Sequence, residues 1–353
     1  MADETGGTLY PVEQLRAFTH RAFTTVGVPD DDAATVTDNL IEANLRGVDS
    51  HGITRLLAIY VKRLKVGIVN PTPKIEVVSE APSSILVDGD NGLGAVVAAY
   101  AMREAIKRAG ETGSCWSAVR NSNHFGTTAF YTQMAAEADM VGIGMTNGVA
   151  LMAPWGGTEP YMSTNPLSIA VPGEDGPVVM DMATSVVARG HILLASTRGD
   201  KTIPAGWALD AEGRPTTDTQ AALAGTVMPM AGYKGAVIAF MIDVLSGALT
   251  GASFGSHIGP LYGKLDKKQD NGHLFGVLDI GKLIPVPSFK SSLAQMVREI
   301  KANPLAAGAT GIYYPGEIEE TKKAQRLAEG IPIADGVVRE LEETAAELGI
   351  PFP

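Results

Sequence analysis

The sequence predicts an α/β protein to which the two ends of the chain add a helical unit. Apolar residues recur at helical spacing over roughly the first seventy residues and again beyond Ser288, whereas the middle of the chain alternates short apolar strands with helices. Pro71 and Pro73 separate the first helical stretch from the alternating one. This arrangement indicates that the termini pack together as one discontinuous unit, residues 1–72 with 288–353, around an α/β region at 73–287.

Three helices are predicted before these prolines, at residues 11–25, 30–46 and 54–66. Pro11 suits a first helical turn, and the acidic residues from Asp30 onward favour a helix N-terminus. The second helix is expected to end at Gly47, where a polar junction begins with the sequence Gly47-Val48-Asp49-Ser50-His51-Gly52. A glycine therefore stands at each end of a short segment whose polar side chains are candidates for catalysis or binding.

The α/β region is predicted from short apolar runs that alternate with helical periodicity. Strands are expected at residues 75–78, 84–87, 116–119, 141–145, 167–171, 178–180 and 273–278, and helices at 95–108, 127–137, 185–196 and 236–249. Three more helices are expected near residues 291–302, 316–329 and 336–348.

Composition argues against several classes of protein. The formal net charge is −11, from 39 acidic and 28 basic residues, and a surface of that sign repels nucleic-acid phosphates and anionic membranes. The single cysteine, Cys115, cannot form an intramolecular disulfide, which fits a reducing compartment. Residues 1–7 lack the basic start and apolar stretch of a signal peptide, and no run of about 18 apolar residues occurs. We therefore expect a cytoplasmic protein without nucleic-acid or membrane partners.

The sequence Gly92-Leu93-Gly94, between a predicted strand and a predicted helix, is the first candidate motif. In a Rossmann dinucleotide-binding fingerprint, a third glycine three residues later lets the helix pack closely on the strand. Val97 stands at that position. The preferred interpretation is a tight turn between strand and helix.

The six histidines show no metal-binding spacing, so no metal site is expected. Two of them have unusual neighbours. His51 follows Asp49 and Ser50 in the glycine-bounded junction, and His124 follows a predicted strand and leads into Phe125-Gly126-Thr127-Thr128 at a helix start. A single histidine in a loop is more often a surface residue or a satisfied polar group, and this alternative stays open for both.

Arg55 lies one helical turn beyond His51. A planar guanidinium binds a carboxylate in two-point geometry, and a neighbouring imidazole can accept a hydroxyl proton at neutral pH. An arginine and a histidine side by side suit a 2-hydroxy or 2-oxo acid. The alternative for Arg55 is a solvated charge on an amphipathic helix.

Two further segments are candidates for binding a dinucleotide. Asp181-Met182-Ala183-Thr184-Ser185 ends a predicted strand and opens a helix, so the carboxylate could accept a ribose hydroxyl and the helix N-terminus could attract phosphate. Plain capping by Thr184 or Ser185 is the alternative. Lys234, in Gly232-Tyr233-Lys234-Gly235, is a cation at the start of an apolar helix, where a carboxylate would complement the helix end better. A lysine that faces a ligand is favoured there.

Taken in order, several stretches resemble the malate/L-lactate dehydrogenase family, which includes ureidoglycolate and sulfolactate dehydrogenases, diketogulonate reductase and cyclic imino-acid reductases. The resemblance covers almost the whole chain. The matching stretches are Arg46-Gly47-Val48-Asp49-Ser50-His51-Gly52, Asn123-His124-Phe125-Gly126, Ser163-Thr164-Asn165-Pro166-Leu167, Asp181-Met182-Ala183-Thr184-Ser185, Lys234-Gly235, Asp243-Val244-Leu245-Ser246-Gly247 and Tyr313-Tyr314-Pro315-Gly316.

The resemblance implies a homodimer with a family-specific, non-Rossmann cofactor domain that has a mixed sheet, at about residues 115–287. It makes His51 the proton donor and acceptor, with Ser50 assisting and Arg55 binding the substrate carboxylate. His124 lies beside the nicotinamide in this likeness and is the rival for the acid/base role. The cofactor contacts implied are His124, Phe125, Gly126, Thr127, Thr128, Thr164, Asp181, Met182, Ala183, Lys234, Gly235, Gly308, Ala309 and Thr310.

The expected activity is that of an NAD(P)-dependent dehydrogenase acting on a small 2-hydroxy acid of the malate, lactate, sulfolactate or ureidoglycolate type. NAD is favoured over NADP because no basic cluster awaits a 2′-phosphate. The alternative is an NADPH-dependent reductase of cyclic imino acids. In those reductases an acidic residue follows an Ala-Arg-Gly segment, whereas His191 follows Ala188-Arg189-Gly190 here. From other classes, a metal-dependent hydrolase and a non-catalytic binding protein are the rivals.

Overall fold

The computed structural model describes residues 7–263 and 265–353, except for the side chains of Leu56 and Thr197. Of the N-terminal stretch considered for a signal peptide, residues 1–6 lie outside the described part. The three N-terminal helices form where their periodicity predicts them, as α1 (Val12–Thr25), α2 (Asp30–Leu45) and α3 (Ile53–Lys65). Within the described stretches, no helix combines the length and apolarity needed to span a bilayer.

The other helices and the strands follow in chain order. The helices are α4 (Gly94–Thr112), α5 (Ala129–Glu137), α6 (Arg189–Arg198), α7 (Thr219–Ala224), α8 (Tyr233–Asp243), α9 (Val286–Lys301), α10 (Glu317–Glu329) and α11 (Asp335–Leu348). The strands are β1 (Thr8–Tyr10), β2 (Glu76–Ala81), β3 (Ser84–Asp88), β4 (Ser114–Ser122), β5 (Met140–Thr146), β6 (Leu167–Val171), β7 (Val178–Met182), β8 (Ala208–Leu209), β9 (Pro215–Thr216), β10 (Thr226–Val227), β11 (Asn271–Asp279) and β12 (Ile331–Ile333).

The largest sheet has seven strands in the order β2-β3-β4-β11-β5-β6-β7. Within the described residues, β3 and β4 form its one parallel pair, and the other neighbours are antiparallel. A doubly wound Rossmann sheet consists mainly of parallel strands. The mixed sheet therefore confirms the predicted α/β class and shows that the fold is not of the Rossmann type.

Helices α4 and α5 pack against this sheet, and small and aromatic side chains share the interface. Alanines along α4 are fully buried, which lets the helix lie close to the strands. Phe125, Tyr131 and Phe275 fill the same core, with the Phe125 and Tyr131 rings stacked at a centroid distance of 4.8 Å. These contacts fix the segment that follows β4 against the core.

The two ends of the chain meet in a second core. Strands β1 and β12 pair antiparallel, and Ile331 and Ile333 are buried with Leu15 and Phe23. The N-terminal helices and the C-terminal segment therefore share apolar packing. The domain bounds given above stay a prediction.

The predicted boundaries differ from the structure at α6, at α8 and at α9, which begins at Val286 rather than near residue 291, and several short elements, among them β1, α7 and β12, were not predicted. Helix α6 begins at Arg189 rather than at residue 185, because Val186 donates a backbone hydrogen bond to Met228 and Ser185 bridges to Pro229. Helix α8 becomes a π-helix over Val244–Ala248 instead of continuing regularly to residue 249. The small sheet β10-β8-β9 consists of two-residue strands, which are too short to show alternation.

Candidate active site

The junction between α2 and α3 forms a single 3-10 turn, Asp49–His51. A Cβ at Gly52 would lie 2.0 Å from the side-chain oxygen of Asn44, so the backbone can approach this buried amide only as glycine. The same oxygen accepts the Ile53 N–H at 2.8 Å and satisfies one free donor at the start of α3. The turn is thus fixed to α2 on one side and to α3 on the other.

A buried arginine from α10 holds the first residue of this turn. Arg326 donates from its two terminal nitrogens to the two carboxylate oxygens of Asp49, at 2.7 and 3.1 Å. Asn44 donates to the same carboxylate at 2.6 Å. Sequence reasoning missed Arg326, because a contact between residues this far apart in the chain leaves no local pattern.

His51 lies half-buried at the end of the turn. Its Nδ1 is 2.9 Å from the Ser50 hydroxyl oxygen, and either atom can be the donor. Burial lowers the pKa of His51 to about 4, so its imidazole is neutral at pH 7. A neutral imidazole there can accept a proton from a substrate hydroxyl.

His124 lies just beyond the end of β4. Its Nδ1 is 2.7 Å from the Tyr60 hydroxyl, and its backbone N–H donates to the side-chain oxygen of Gln269 at 3.2 Å. Burial, and then the charges of His51, His273 and Arg63, lower the pKa of His124 to about 3. This ring is therefore also neutral at pH 7.

The glycine motif considered for a dinucleotide supports His124 instead. A Cβ at Gly94 would lie 2.1 Å from the Asn123 carbonyl oxygen and 2.4 Å from that of His124. The first turn of α4 thus packs against the backbone that carries the histidine. This close approach agrees with the predicted tight turn.

The structure brings the two rival histidines together. Their rings stack at a centroid distance of 5.7 Å with 24° between the planes. Among the residues that the structure describes, none hydrogen-bonds to Nε2 of either ring. Both Nε2 atoms are therefore available to a ligand. A pair that presents one hydrogen-bond donor and one acceptor can bind the hydroxyl or carbonyl oxygen of a substrate.

Arg55 is exposed in the first turn of α3. Its guanidinium carbon lies 5.1 Å from the centre of the Tyr262 ring, a distance typical of a cation–π contact. No described carboxylate lies within ion-pair distance of it. Its two-point binding face can therefore take a substrate carboxylate. Tyr262, on the loop before β11, was not singled out from the sequence.

Most of the segments predicted to bind the dinucleotide meet around Thr184. The N–H and the hydroxyl of Thr184 donate to the Thr164 carbonyl, at 2.8 and 3.0 Å. Met230 donates its N–H to the Thr184 carbonyl at 2.9 Å, and Gly235 donates to the Met230 carbonyl at 3.0 Å. Thr164, the strand end at 181–183 and the start of α8 thus form one surface, although they are widely separated in the sequence.

Asp181 has a different local role from the one expected. Its carboxylate accepts the Ala129 N–H at 2.7 Å and also the Thr128 N–H, so it caps α5. The helix predicted to open at Ser185 begins only at Arg189, so no helix N-terminus lies directly behind Asp181. Nor does Thr184 or Ser185 cap such a helix, because the two hydroxyls donate to the carbonyls of Thr164 and Val187.

The donor set of this surface fits a nicotinamide dinucleotide. Asp181 is exposed and can accept from a ribose hydroxyl, while Lys234 is exposed at the N-terminus of α8, where an anion is favoured. The buried hydroxyl of Thr127, which has no partner among the described residues, lies at the start of α5. The Thr128 and Ala129 amides at the start of α5 are already bound to Asp181, which makes that helix end unsuitable for a phosphate.

Other predicted positions make no hydrogen bond to Thr164, to residues 181–183 or to the start of α8 within the described part of the chain. Gly308, Ala309 and Thr310 form part of an exposed connection between α9 and α10, which is attached to β7 by a hydrogen bond from Val179 N–H to the Pro315 carbonyl at 3.1 Å. His191 is exposed on α6 with its ring against Trp207. Within the described part of the chain, no three His, Cys, Asp or Glu side chains are grouped as metal ligands.

Comparison with known proteins gives a consistent result over nearly the whole chain. A family model described as malate/L-lactate dehydrogenase matches residues 10–342. The malate dehydrogenase of Pyrococcus horikoshii is 41% identical over 348 residues, which cover 96% of this chain and 95% of that protein. The L-sulfolactate dehydrogenase of Methanocaldococcus jannaschii is 40% identical over 92% of both chains.

Solved structures agree. The sulfolactate dehydrogenase of Methanocaldococcus jannaschii superposes with a TM-score of 0.91 at 38% identity, over 98% of both chains. The malate dehydrogenase of Pyrococcus horikoshii gives a TM-score of 0.91 at 39% identity, over 100% of this chain and 99% of that one. A Δ1-piperideine-2-carboxylate reductase from Pseudomonas syringae is also similar, with a TM-score of 0.85 at 28% identity over 96% of this chain and all of that one.

Proposed function

The chain belongs to the malate/L-lactate dehydrogenase family, and from this premise we propose that it transfers a hydride between a nicotinamide cofactor and C2 of a small 2-hydroxy acid or 2-oxo acid. It is a nicotinamide-dependent dehydrogenase of hydroxy acids, as its relatives are. The observation that carries the finer proposal is the stacked pair of neutral histidines, each with Nε2 available to a ligand. Arg55, four residues beyond His51 in the chain, has no carboxylate partner among the described residues.

In the proposed mechanism each side chain has one task. Arg55 binds the substrate carboxylate in two-point geometry and so fixes the orientation of C2. His51 accepts the hydroxyl proton at Nε2 during oxidation and returns it during reduction, while Ser50 holds Nδ1. When bound, the nicotinamide supplies the acceptor for the C2 hydrogen as hydride. Asp181 and Lys234 would hold the ribose and the diphosphate.

We propose a substrate of the malate or sulfolactate type, ahead of the lactate and ureidoglycolate types. The two relatives with 41% and 40% identity are named for malate and sulfolactate, and a ureidoglycolate dehydrogenase of Escherichia coli is 36% identical. His191 stands where the imino-acid reductases carry an acidic residue, and its contact is with Trp207. This supports a hydroxy-acid substrate over an imine.

A panel of substrates tests the proposal. Malate, sulfolactate, lactate and ureidoglycolate are assayed with NAD⁺ and NADP⁺, and the corresponding oxo acids and Δ1-piperideine-2-carboxylate with the reduced cofactors. We expect the largest kcat/KM for malate or sulfolactate with NAD⁺, because an exposed carboxylate at Asp181 disfavours an additional phosphate nearby. One relative is named for NAD⁺ and another for NADP⁺. A preference for NADP⁺ would therefore change the proposed cofactor and leave the proposed substrate class as it is. Turnover of the imine only would favour the reductase alternative.

The cofactor site has its own test. We expect a crystal structure with NADH to show contacts from residues 181–183 and from Lys234, and none from Gly92-Leu93-Gly94. The reason is that Gly94 already packs on the backbone of His124. A dinucleotide bound against that turn would overturn the proposed placement of the cofactor.

A cytoplasmic location stays a prediction.

A further inference from the structure

We propose that Tyr60 is a positioning residue that holds His124 in the tautomer with its hydrogen on Nε2. His124 then donates a hydrogen bond to the C2 oxygen of the substrate, while His51 alone exchanges the proton. The identity of the bound oxygen rests on the proposed function. The tautomer of His124 is inferred from the geometry of α3 and of the segment after β4.

The hydrogen bonds at Nδ1 of His124 decide which nitrogen carries the hydrogen. The Gly126 N–H points at Nδ1 at 3.5 Å and also hydrogen-bonds to the Tyr60 oxygen. A backbone amide can only donate, so a hydrogen on Nδ1 would face another hydrogen. Nδ1 is therefore an acceptor, and the Tyr60 hydroxyl donates to it at 2.7 Å in preference to the His124 carbonyl oxygen, which lies farther away at 3.3 Å.

A neutral imidazole with an unprotonated Nδ1 carries its one hydrogen on Nε2. Burial keeps this ring neutral at pH 7, since it lowers the pKa of His124 to about 3. Burial also raises the pKa of Tyr60 well above its usual range, so the hydroxyl stays a donor throughout the working pH range. Nε2 of His124 is then a permanent donor, which suits an oxygen that gains negative charge in the transition state.

His51 has a partner of a different kind. The Ser50 hydroxyl is 2.9 Å from Nδ1 and can rotate between donating and accepting, so it can follow a change of protonation at Nε2. The hydrogen bond from Tyr60 cannot reverse as easily, because the Gly126 N–H already faces Nδ1 of His124 and opposes a hydrogen on that nitrogen. The two stacked rings therefore differ in function although both are neutral: one exchanges a proton and the other donates a fixed hydrogen bond.

The tautomer can be measured without substrate. In protein labelled with ¹⁵N-histidine, the nitrogen chemical shifts of His124, assigned by comparison with His124→Gln, should show an unprotonated Nδ1 and a protonated Nε2. In Tyr60→Phe we expect a mixture of the two tautomers. The matched control is Tyr131→Phe, because Tyr131 is equally buried and donates to the Phe125 carbonyl in the same segment without touching the His124 ring.

Kinetics give the second readout. We expect Tyr60→Phe to lower kcat about 5- to 20-fold, the effect of losing roughly one hydrogen bond, with substrate KM and cofactor Kd within about twofold of wild type. Tyr131→Phe should leave both the tautomer and kcat near wild type.

Each contrary result overturns a defined part of the inference. A wild-type His124 with its hydrogen on Nδ1 overturns the assignment, even if Tyr60→Phe does not fold. A Tyr60→Phe protein that keeps both the tautomer and kcat removes the positioning role. If the wild-type enzyme turns over no hydroxy acid, the proposed function fails, and so does the claim that His124 binds the C2 oxygen. The nitrogen chemical shifts of His124 still decide whether Tyr60 sets the tautomer.

Discussion

At the scale of single residues, the acid/base assignment depends on which ring nitrogen each histidine leaves open. His51 and His124 are both neutral, both half-buried and stacked on each other, so burial alone does not distinguish them. Their partners do, because a serine that can reverse its hydrogen bond supports proton exchange and a tyrosine that cannot reverse it supports donation. The roles can therefore be separated by substitution.

His51→Ala should lower kcat by about 10²–10⁴-fold, the usual loss when a general acid/base is removed. The affinity for NADH should stay the same, because His51 would touch only the substrate. Steady-state kinetics and a fluorescence titration with NADH measure the two effects. If His51→Ala retains kcat, His51 is not the proton carrier.

Two further substitutions serve as controls for this result. Arg55→Lys should act mainly on the KM of the acid, because an ammonium group cannot reproduce two-point binding of a carboxylate. His124→Ala should cost less than His51→Ala. The reverse order would exchange the roles of the histidines, and near wild-type rates for both variants would refute the mechanism.

His273 predicts how stability depends on pH. It is fully buried, bound to the hydroxyls of Thr146 and Ser122 at 2.7 and 2.8 Å, and stacked on Phe125. Burial lowers its pKa from 6.5 to about 3. Between these pH values the unfolded chain binds a proton that the native protein does not, so the free energy of unfolding falls as the pH decreases from 6.5.

Urea unfolding at pH 8, 7, 6 and 5 measures this dependence. We expect little change between pH 8 and 7, and then a loss that approaches about 1.4 kcal/mol per pH unit for each such histidine. His51 and His124 contribute with the same sign. His273→Gln should reduce the slope between pH 6.5 and 5. An unfolding midpoint that is constant from pH 7 to 5 would contradict the prediction.

At the scale of the elements, α10 acts as a support for the catalytic turn. Besides the contact of Arg326 with Asp49, it contributes Glu320 to an ion pair with Arg46, and Lys323 to one with Glu42 at 2.7 Å. These contacts connect α10 to α2 and to the turn that follows it. The position of His51 therefore depends on a helix that contributes no group to the reaction.

Arg326→Lys should lower kcat about tenfold, because one ammonium group cannot hold both oxygens of Asp49 and the turn gains freedom. The Kd of NADH should stay within about twofold. Lys323→Met is the matched control, since it removes an ion pair of the same interface without touching Asp49. Equal losses in kcat for both variants would show that α10 contributes only general stability.

Gly94→Ala tests the support beneath His124. The added methyl group would lie 2.1 Å and 2.4 Å from two carbonyl oxygens, so the backbone of residues 123 and 124 must move. We expect a lower thermal midpoint together with a loss of kcat, measured by calorimetry and steady-state kinetics. Gly336→Ala, where nothing lies within 4 Å, should be neutral or slightly stabilising. A Gly94→Ala enzyme with wild-type kcat would separate this turn from catalysis.

The sequence was sufficient for elements that carry their own periodicity. Strand β6 and the helices α1, α2 and α3 lie where their patterns predict them, because each shows an apolar face over several turns or alternations. The start of α6 was predicted too early, since the pairing of Val186 with Met228 is not visible in local sequence. Long-range pairing decides such boundaries.

The same distinction applies to the site. His51, His124 and Arg55 could be singled out from their neighbours in the sequence, but not the stacking of the two rings. Tyr60, Tyr262 and Arg326 reach the site only through the packing of distant segments. Residues that position catalytic groups are therefore harder to predict than the groups themselves.

At the scale of the whole molecule, two helices expose apolar faces that a single chain does not cover. No side chain of the sixteen-residue helix α9 is buried, and Met296 on it is 59% exposed. On α8, Val237 and Phe240 are 55% and 52% exposed. Faces of this kind mark interfaces. The first helical hairpin, by contrast, fills the protein's own core with Leu15 and Phe23.

We therefore predict a homodimer that uses α8 and α9. Sedimentation at micromolar concentration should give about 74 kDa, twice the 36.9 kDa of one chain. Phe240→Glu should shift the equilibrium towards the monomer, whereas Val78→Glu, at a similarly exposed position on β2, should not. A species near 37 kDa alone would rule out the dimer.

The contact between Arg326 and the turn at Asp49 also limits the order in which the site can form during synthesis. The ribosome makes residues 8–10 and the turn at 49–51 long before their partners β12 and α10. A nascent chain can form the local helices α1–α3 early, but the catalytic turn lacks its contact with Arg326 until α10 has been synthesised. A chain whose synthesis stops before α10 would therefore contain both histidines without the support of Arg326.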